Sequence, residues 1–192
     1  MTKEVKRQAR VVDQMLSMHS ALRDRYSRKA IGLTIVILGL SVVLCTITFL
    51  PDSALEPLGI SAAANRFIIG GLGSLVFFLA LMELFLRWQA ISVHHSDAAE
   101  ELAKLKLQYR TALSRGEVDP GACEMLKQAY EACMEKLPPI PERLFPSLKS
   151  HHLRKIRLSQ MIDSNPGSPV WFLRLRLLWA GIRGKKDEEG AD

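Results

Sequence analysis

The chain has 192 residues, 48% of them hydrophobic, with 26 basic side chains against 20 acidic and a formal net charge of +6. Its mean hydropathy of +0.07 averages over very unlike regions, two strongly apolar blocks and a charged remainder. Three cysteines (Cys45, Cys123 and Cys133) are too few for a disulfide framework and read as small buried thiols.

The N-terminal segment VVDQMLSMHSALRDRY places Val12, Met15, His19, Leu22 and Tyr26 at alternating steps of three and four, one face of a helix. Residues 30–50, AIGLTIVILGLSVVLCTITFL, follow without a single charge. At ~1.5 Å per residue such a block crosses the roughly 30 Å of a bilayer's hydrocarbon core, and it is longer than the ~7–15 residues of a signal-peptide core. Residues 67–86 form a second block whose only charge is Glu83. Two transmembrane helices joined by a loop at 51–66 are therefore expected.

Charge sets the orientation. Residues 1–29 carry Lys3, Lys6, Arg7, Arg10, Arg23, Arg25, Arg28 and Lys29, whereas the loop carries Arg66 beside Asp52 and Glu56. The positive-inside rule places both termini in the cytosol and the loop outside. This orientation, with affinity for anionic lipid, accounts for the basic balance, so nucleic acid is not an expected partner.

Beyond the second block, Ile91, His95, Ala98, Leu102, Leu105, Tyr109 and Ala112 continue the three–four stepping. No glycine or proline lies between Gly73 and Arg115, so the second span is expected to run on as one uninterrupted helix. RGEVDPG ends it near Gly116, with Asp119 capping the next helix and Pro120 at its first turn. Ala122, Leu126, Ala129, Cys133 and Leu137 line one side of that helix, which must stop at Pro138, Pro139 and Pro141. A further helix is expected over about 146–163, and NPGSP at 165–169 breaks the chain. The segment 170–183, VWFLRLRLLWAGIR, is too short and basic to span. Trp171, Leu175, Leu178 and Ile182 share a face, with Phe172 and Trp179 on its shoulder and Arg174, Arg176 and Arg183 beside it. It reads as an interfacial anchor, or alternatively as a helix docked on the cytosolic ones. With Arg87 and Trp88, these residues form the expected membrane-interface set. The tail at 184–192 is expected to be disordered.

Small residues mark each span. Gly32, Gly39 and Thr46 recur every seven positions in the first, and Gly70, Gly73 and Ser74 share one side of the second. Such faces let membrane helices approach closely, either within the two-span hairpin or between subunits. Glu83 reads as a snorkelling carboxylate paired with Arg87 at i+4, or as a group lining a water-filled passage or subunit contact. Two helices cannot enclose a pore, so conduction requires several copies. The adjacent pairs His94-His95 and His151-His152 point about 100° apart on a helix and cannot chelate a metal as i,i+4 histidines do. No phosphate loop, nucleophile elbow or zincin motif is present, so no enzyme and no cofactor is expected.

The order of these elements, with LKLQYRTAL around Tyr109, QAYEACMEKLPPIP around Tyr130 and Pro138 to Pro141, and LKSHHLRK around His151 and His152, resembles the SLATT family of two-transmembrane effector domains. The resemblance covers about residues 8–163 and leaves the Trp/Arg segment unmatched. It implies a prokaryotic anti-phage effector: an all-α membrane protein, partnered with a nucleotide-synthesising or nucleotide-sensing protein, that assembles or opens a membrane pore. A non-conducting scaffold that recruits a cytosolic partner is the alternative, and a transporter subunit a third reading.

Overall fold

A computed structural model describes residues 2–51, 61–114, 120–177 and 179, and none of these lies in a strand. Most of the expected external loop, the turn around Gly116 and Asp119, and Leu178, Ile182, Arg183 and the tail lie outside the described residues. The helices are α1 (Thr2–Phe49), α2 (Ala62–Leu86), α3 (Trp88–Ser114), α4 (Pro120–Lys136) and α5 (Phe145–Ser164), with a 3₁₀ turn at Glu142–Leu144. A C-terminal helical segment occupies 170–177. The chain divides into two compact units, one made of Met1–His19 and Ala98–Asp192 and the other of Ser20–Asp97.

The first unit owes its core to the three–four stepping. Val5 and Val12 of α1, Leu102, Leu105 and Tyr109 of α3, and Leu126 of α4 form one buried cluster. Ala129, Tyr130, Cys133, Met134 and Leu137 pack around it, so the apolar side of α4 is the one the spacing marks. α4 stops at Lys136, where Pro138 and Pro139 can supply no backbone donors. α5 then opens with Pro146 in its first turn and buries Leu148 and His152. The NPGSP reversal is closed by the Ser168 amide donating to the Asn165 carbonyl (3.1 Å) and by the Phe172 and Leu173 amides donating to Pro169 (3.0 and 3.3 Å).

The second unit holds the apolar helices. Both are long and apolar enough to cross a membrane, and only 6% and 0% of their most apolar windows are buried. Core helices of a soluble protein bury their apolar surface, so this exposure sets the pair apart from that class. At the start of α2 the Ser61 hydroxyl accepts from the Ala64 amide (3.3 Å), a side-chain N-cap.

The expected unbroken helix from the second apolar block is corrected at one residue. Arg87 adopts a left-handed conformation (φ 46°, ψ 34°) between α2 and α3. Its amide still donates to the Glu83 carbonyl (3.3 Å), and its carbonyl still accepts from the Ile91 amide (3.1 Å). The hydrogen-bond ladder thus continues through a re-phased turn. Continued without a break, the half-buried face of α2 (Leu79, Glu83, Leu86) would fall next on Ala90, Val93 or His94, and Asp97. Ser92 and His95 are buried instead, while Val93, His94 and Asp97 are exposed. A left-handed non-glycine residue costs roughly 1–2 kcal/mol, and no glycine or proline in the sequence announces it.

Candidate functional site

Six half-buried positions of α1 (Leu33, Ile37, Leu40, Ser41, Leu44 and Ile47) follow one helical face, as do Ile69, Leu72, Gly73, Val76, Leu79 and Glu83 of α2. Two contacts between the helices are explicit. A Cβ built on Gly73 would meet Leu44 Cδ2 at 3.9 Å, an ordinary van der Waals distance. Near the other end, Thr34 Oγ1 donates to Glu83 Oε1 at 2.6 Å and also reaches its own Ala30 carbonyl at 3.1 Å. The contact to Glu83 is the shorter of the two, so Glu83 is the principal acceptor.

This partner corrects the expected Glu83–Arg87 pairing, since no ion pair joins them among the described residues. The left-handed turn takes Arg87 off the helical register that an i,i+4 pair needs. Sequence reading missed Thr34 because 49 positions separate it from Glu83. The available signal was a hydroxyl at a matching distance from the opposite end of its block.

The small-residue faces point elsewhere. By the ~3.6-residue period, Gly32, Gly39 and Thr46 lie roughly 130° round α1 from its half-buried face, and Gly70 and Ser74 lie at least as far round α2. All five are exposed. A Cβ added to Gly32, Gly39, Gly70 or Gly71 would meet nothing within 4 Å. The hydroxyls on these faces are already satisfied within their own helices: Thr46 donates to the Val42 carbonyl (2.9 Å) and Ser74 to the Gly70 carbonyl (2.9 Å). A close-packing neighbour would therefore strand no hydroxyl donor. Gly73 alone of the marked glycines borders the contact between α1 and α2.

Around Arg87 the second unit gathers aromatic and cationic groups. Lys29 Nζ sits 5.3 Å from the centre of the Trp88 ring and 5.9 Å from that of Tyr26. Tyr26 stacks on His95 with centroids 6.0 Å apart and planes 16° from parallel. The Ser92 hydroxyl donates to the Arg23 carbonyl (3.0 Å), tying α3 to α1. Burial holds the His95 imidazole below its ordinary value, and His94 beside it adds to the effect. An ammonium between two ring faces is a cation–π arrangement suited to a lipid–water boundary.

In the first unit the family-like positions separate into distinct roles. Tyr109 is 1% exposed. Its hydroxyl donates to Gln8 Oε1 (2.9 Å) and approaches the Leu126 carbonyl (3.5 Å), so one phenol links α1, α3 and α4. Burial, then Tyr130, Cys123 and Glu4, pushes its pKa up to about 12. Lys106 and Asp13 form a close ion pair between α3 and α1. Pro139 and Pro141 are exposed, and Pro138 is half-buried. His151 is exposed while His152 is buried, its Nδ1 without a hydrogen-bond partner among the described residues. No group of three or more His, Cys, Asp or Glu capable of holding a metal occurs among the described residues.

The C-terminal segment is buried along one side only. Leu173 is buried and Leu177 half-buried, so the helix docks by that side, while Trp171, Phe172, Leu175 and Trp179 remain exposed. Arg174 and Arg176 are also exposed. Comparison with protein-family models, with curated proteins and with solved structures finds no match to this chain.

Proposed function

We propose that the chain is a two-span membrane hairpin, with both termini and a helical bundle on the cytosolic side of a bacterial inner membrane, whose copies assemble into a regulated pore. The carrying observation is the outward placement of Gly32, Gly39, Thr46, Gly70 and Ser74. The hairpin is joined through other residues, so two close-packing faces remain for neighbouring copies. A hairpin cannot enclose a channel, and repeated association through two faces builds a ring. α1 and α3 each contribute residues to both units, so a cytosolic signal has continuous helices along which to act. The resemblance of the cytosolic segments to SLATT effectors supports a nucleotide-synthesising or nucleotide-sensing partner as the source of that signal, in defence against phage.

The test compares Gly70→Leu with the wild type at matched membrane levels, following oligomer size and membrane potential in cells that also express the proposed nucleotide-synthesising or nucleotide-sensing partner. Leucine at 70 meets nothing in the monomer and favours helix by up to ~1 kcal/mol, so monomer stability should hold or rise while assembly and depolarisation fall. Depolarisation undiminished in Gly70→Leu would sink the assembly face. Assembly without any depolarisation would leave the non-conducting scaffold as the better reading.

A further inference from the structure

A recess of about 280 Å³ lies between the end of α5 and the C-terminal segment, lined by Arg157, Met161, Ser164, Asn165, Arg176 and Leu177. The NPGSP reversal brings the two arginines together although 19 positions separate them. Neither guanidinium makes an ion pair or hydrogen bond among the described residues, and no lining residue is acidic. A helix C-terminus ordinarily repels anions, but here its carbonyls are occupied. The Asn165 amide donates to Ile162 and Met161, and the Ser164 hydroxyl to Gln160 and Met161. What remains is a lining in which two arginines supply the charge and Met161 and Leu177 the apolar surface.

The surroundings identify the ligand. Arg176 stands beside the exposed face of Trp171 (68% exposed), Phe172, Leu175 and Trp179 (64%). An aromatic face flanked by arginines suits the headgroup boundary of a bilayer, and paired guanidinium forks suit phosphate oxygens. We propose that this recess holds the phosphate of an anionic phospholipid while the tryptophan face lies in the interface of the same leaflet. With no carboxylate in the lining to take a choline or ethanolamine ammonium, the site prefers headgroups of net negative charge. The inference rests on the membrane placement proposed above and is independent of conduction.

The experiment places the full chain, with Trp88→Phe so that Trp171 and Trp179 are the fluorophores, in phosphatidylcholine nanodiscs. The discs are doped with phosphatidylglycerol or phosphatidylcholine carrying brominated acyl chains. Brominated phosphatidylglycerol should quench in preference to brominated phosphatidylcholine, and Arg157→Gln should lower that preference about tenfold, the share of a charge-assisted hydrogen bond to a phosphate oxygen. Arg154→Gln removes the same charge from the same helix outside the recess and should leave most of the preference intact. Equal effects of the two substitutions, or full preference in Arg157→Gln, would overturn the site. Relief of quenching by soluble glycerol phosphate would also overturn it, by making the ligand a free anion. A chain that does not co-elute with the discs at all would refute the membrane placement itself, which keeps the two failures apart.

Discussion

Replacing Tyr109 with phenylalanine isolates one hydroxyl at the junction of three helices. The ring would keep its packing against Val5, Val12, Leu102, Leu105 and Leu126, so no cavity opens. What is lost is the 2.9 Å bond to Gln8 and the marginal 3.5 Å approach to the Leu126 carbonyl. Gln8 is half-buried and can regain water, so the cost should be near ~1 kcal/mol rather than the ~3 kcal/mol of a stranded buried acceptor. Tyr109→Ala, which empties the ring's volume, should cost about 3–5 kcal/mol. Hydrogen exchange over 2–19 and 120–136 reads both, because loosening this junction frees α1 and α4 from α3. A cycle with Gln8→Ala should return a coupling of about 0.5–1.5 kcal/mol. The pH dependence supplies a second check. The folded pKa of about 12 lies above the ordinary 10, so the contribution is full below pH 10 and is lost as pH rises towards 12. Tyr109→Phe should remove that alkaline step while the lysine titrations persist. An additive cycle together with an unchanged alkaline step would refute the reasoning.

Thr34→Val should weaken the pairing of α1 with α2 by about 0.6–1.7 kcal/mol, the range for hydrogen bonds between membrane helices. Glu83→Gln keeps an acceptor and should cost less, which unfolding in graded detergent mixtures will test; the reverse order would count against the Thr34–Glu83 bond. The buried His95, facing Tyr26 with Lys29 beyond it and His94 adjoining, has a folded pKa below its ordinary 6.5. Its neutral form is therefore the folded one, so stability holds above pH 6.5 and declines as the pH falls below it. His95→Phe should flatten that acid limb in a thermal-unfolding series, and an equal slope in the variant would assign the loss to another group.

The sequence by itself determined what depends on neighbours along one helix. The two apolar blocks, the seam from Ile91 to Tyr109, the stop at the prolines and the reversal at 165–169 all follow from periodicity and backbone chemistry, which act over a few residues. The marked small residues and Glu83 were also legible as unusual. Their partners were not. The choice of Thr34 over Arg87 for Glu83 depended on two helices meeting across 49 positions and on a left-handed turn that no glycine or proline signals. Only the packed structure could say that Gly73 borders the contact between α1 and α2 while Gly32, Gly39 and Gly70 face outward. A small side chain permits approach on whichever face it occupies and does not specify what approaches. The arginine recess arises in the same way, because Arg157 and Arg176 line one recess only after the chain reverses and Leu173 buries itself. Local chemistry fixed the helices, and burial of the faces they left apolar decided which of their residues came together.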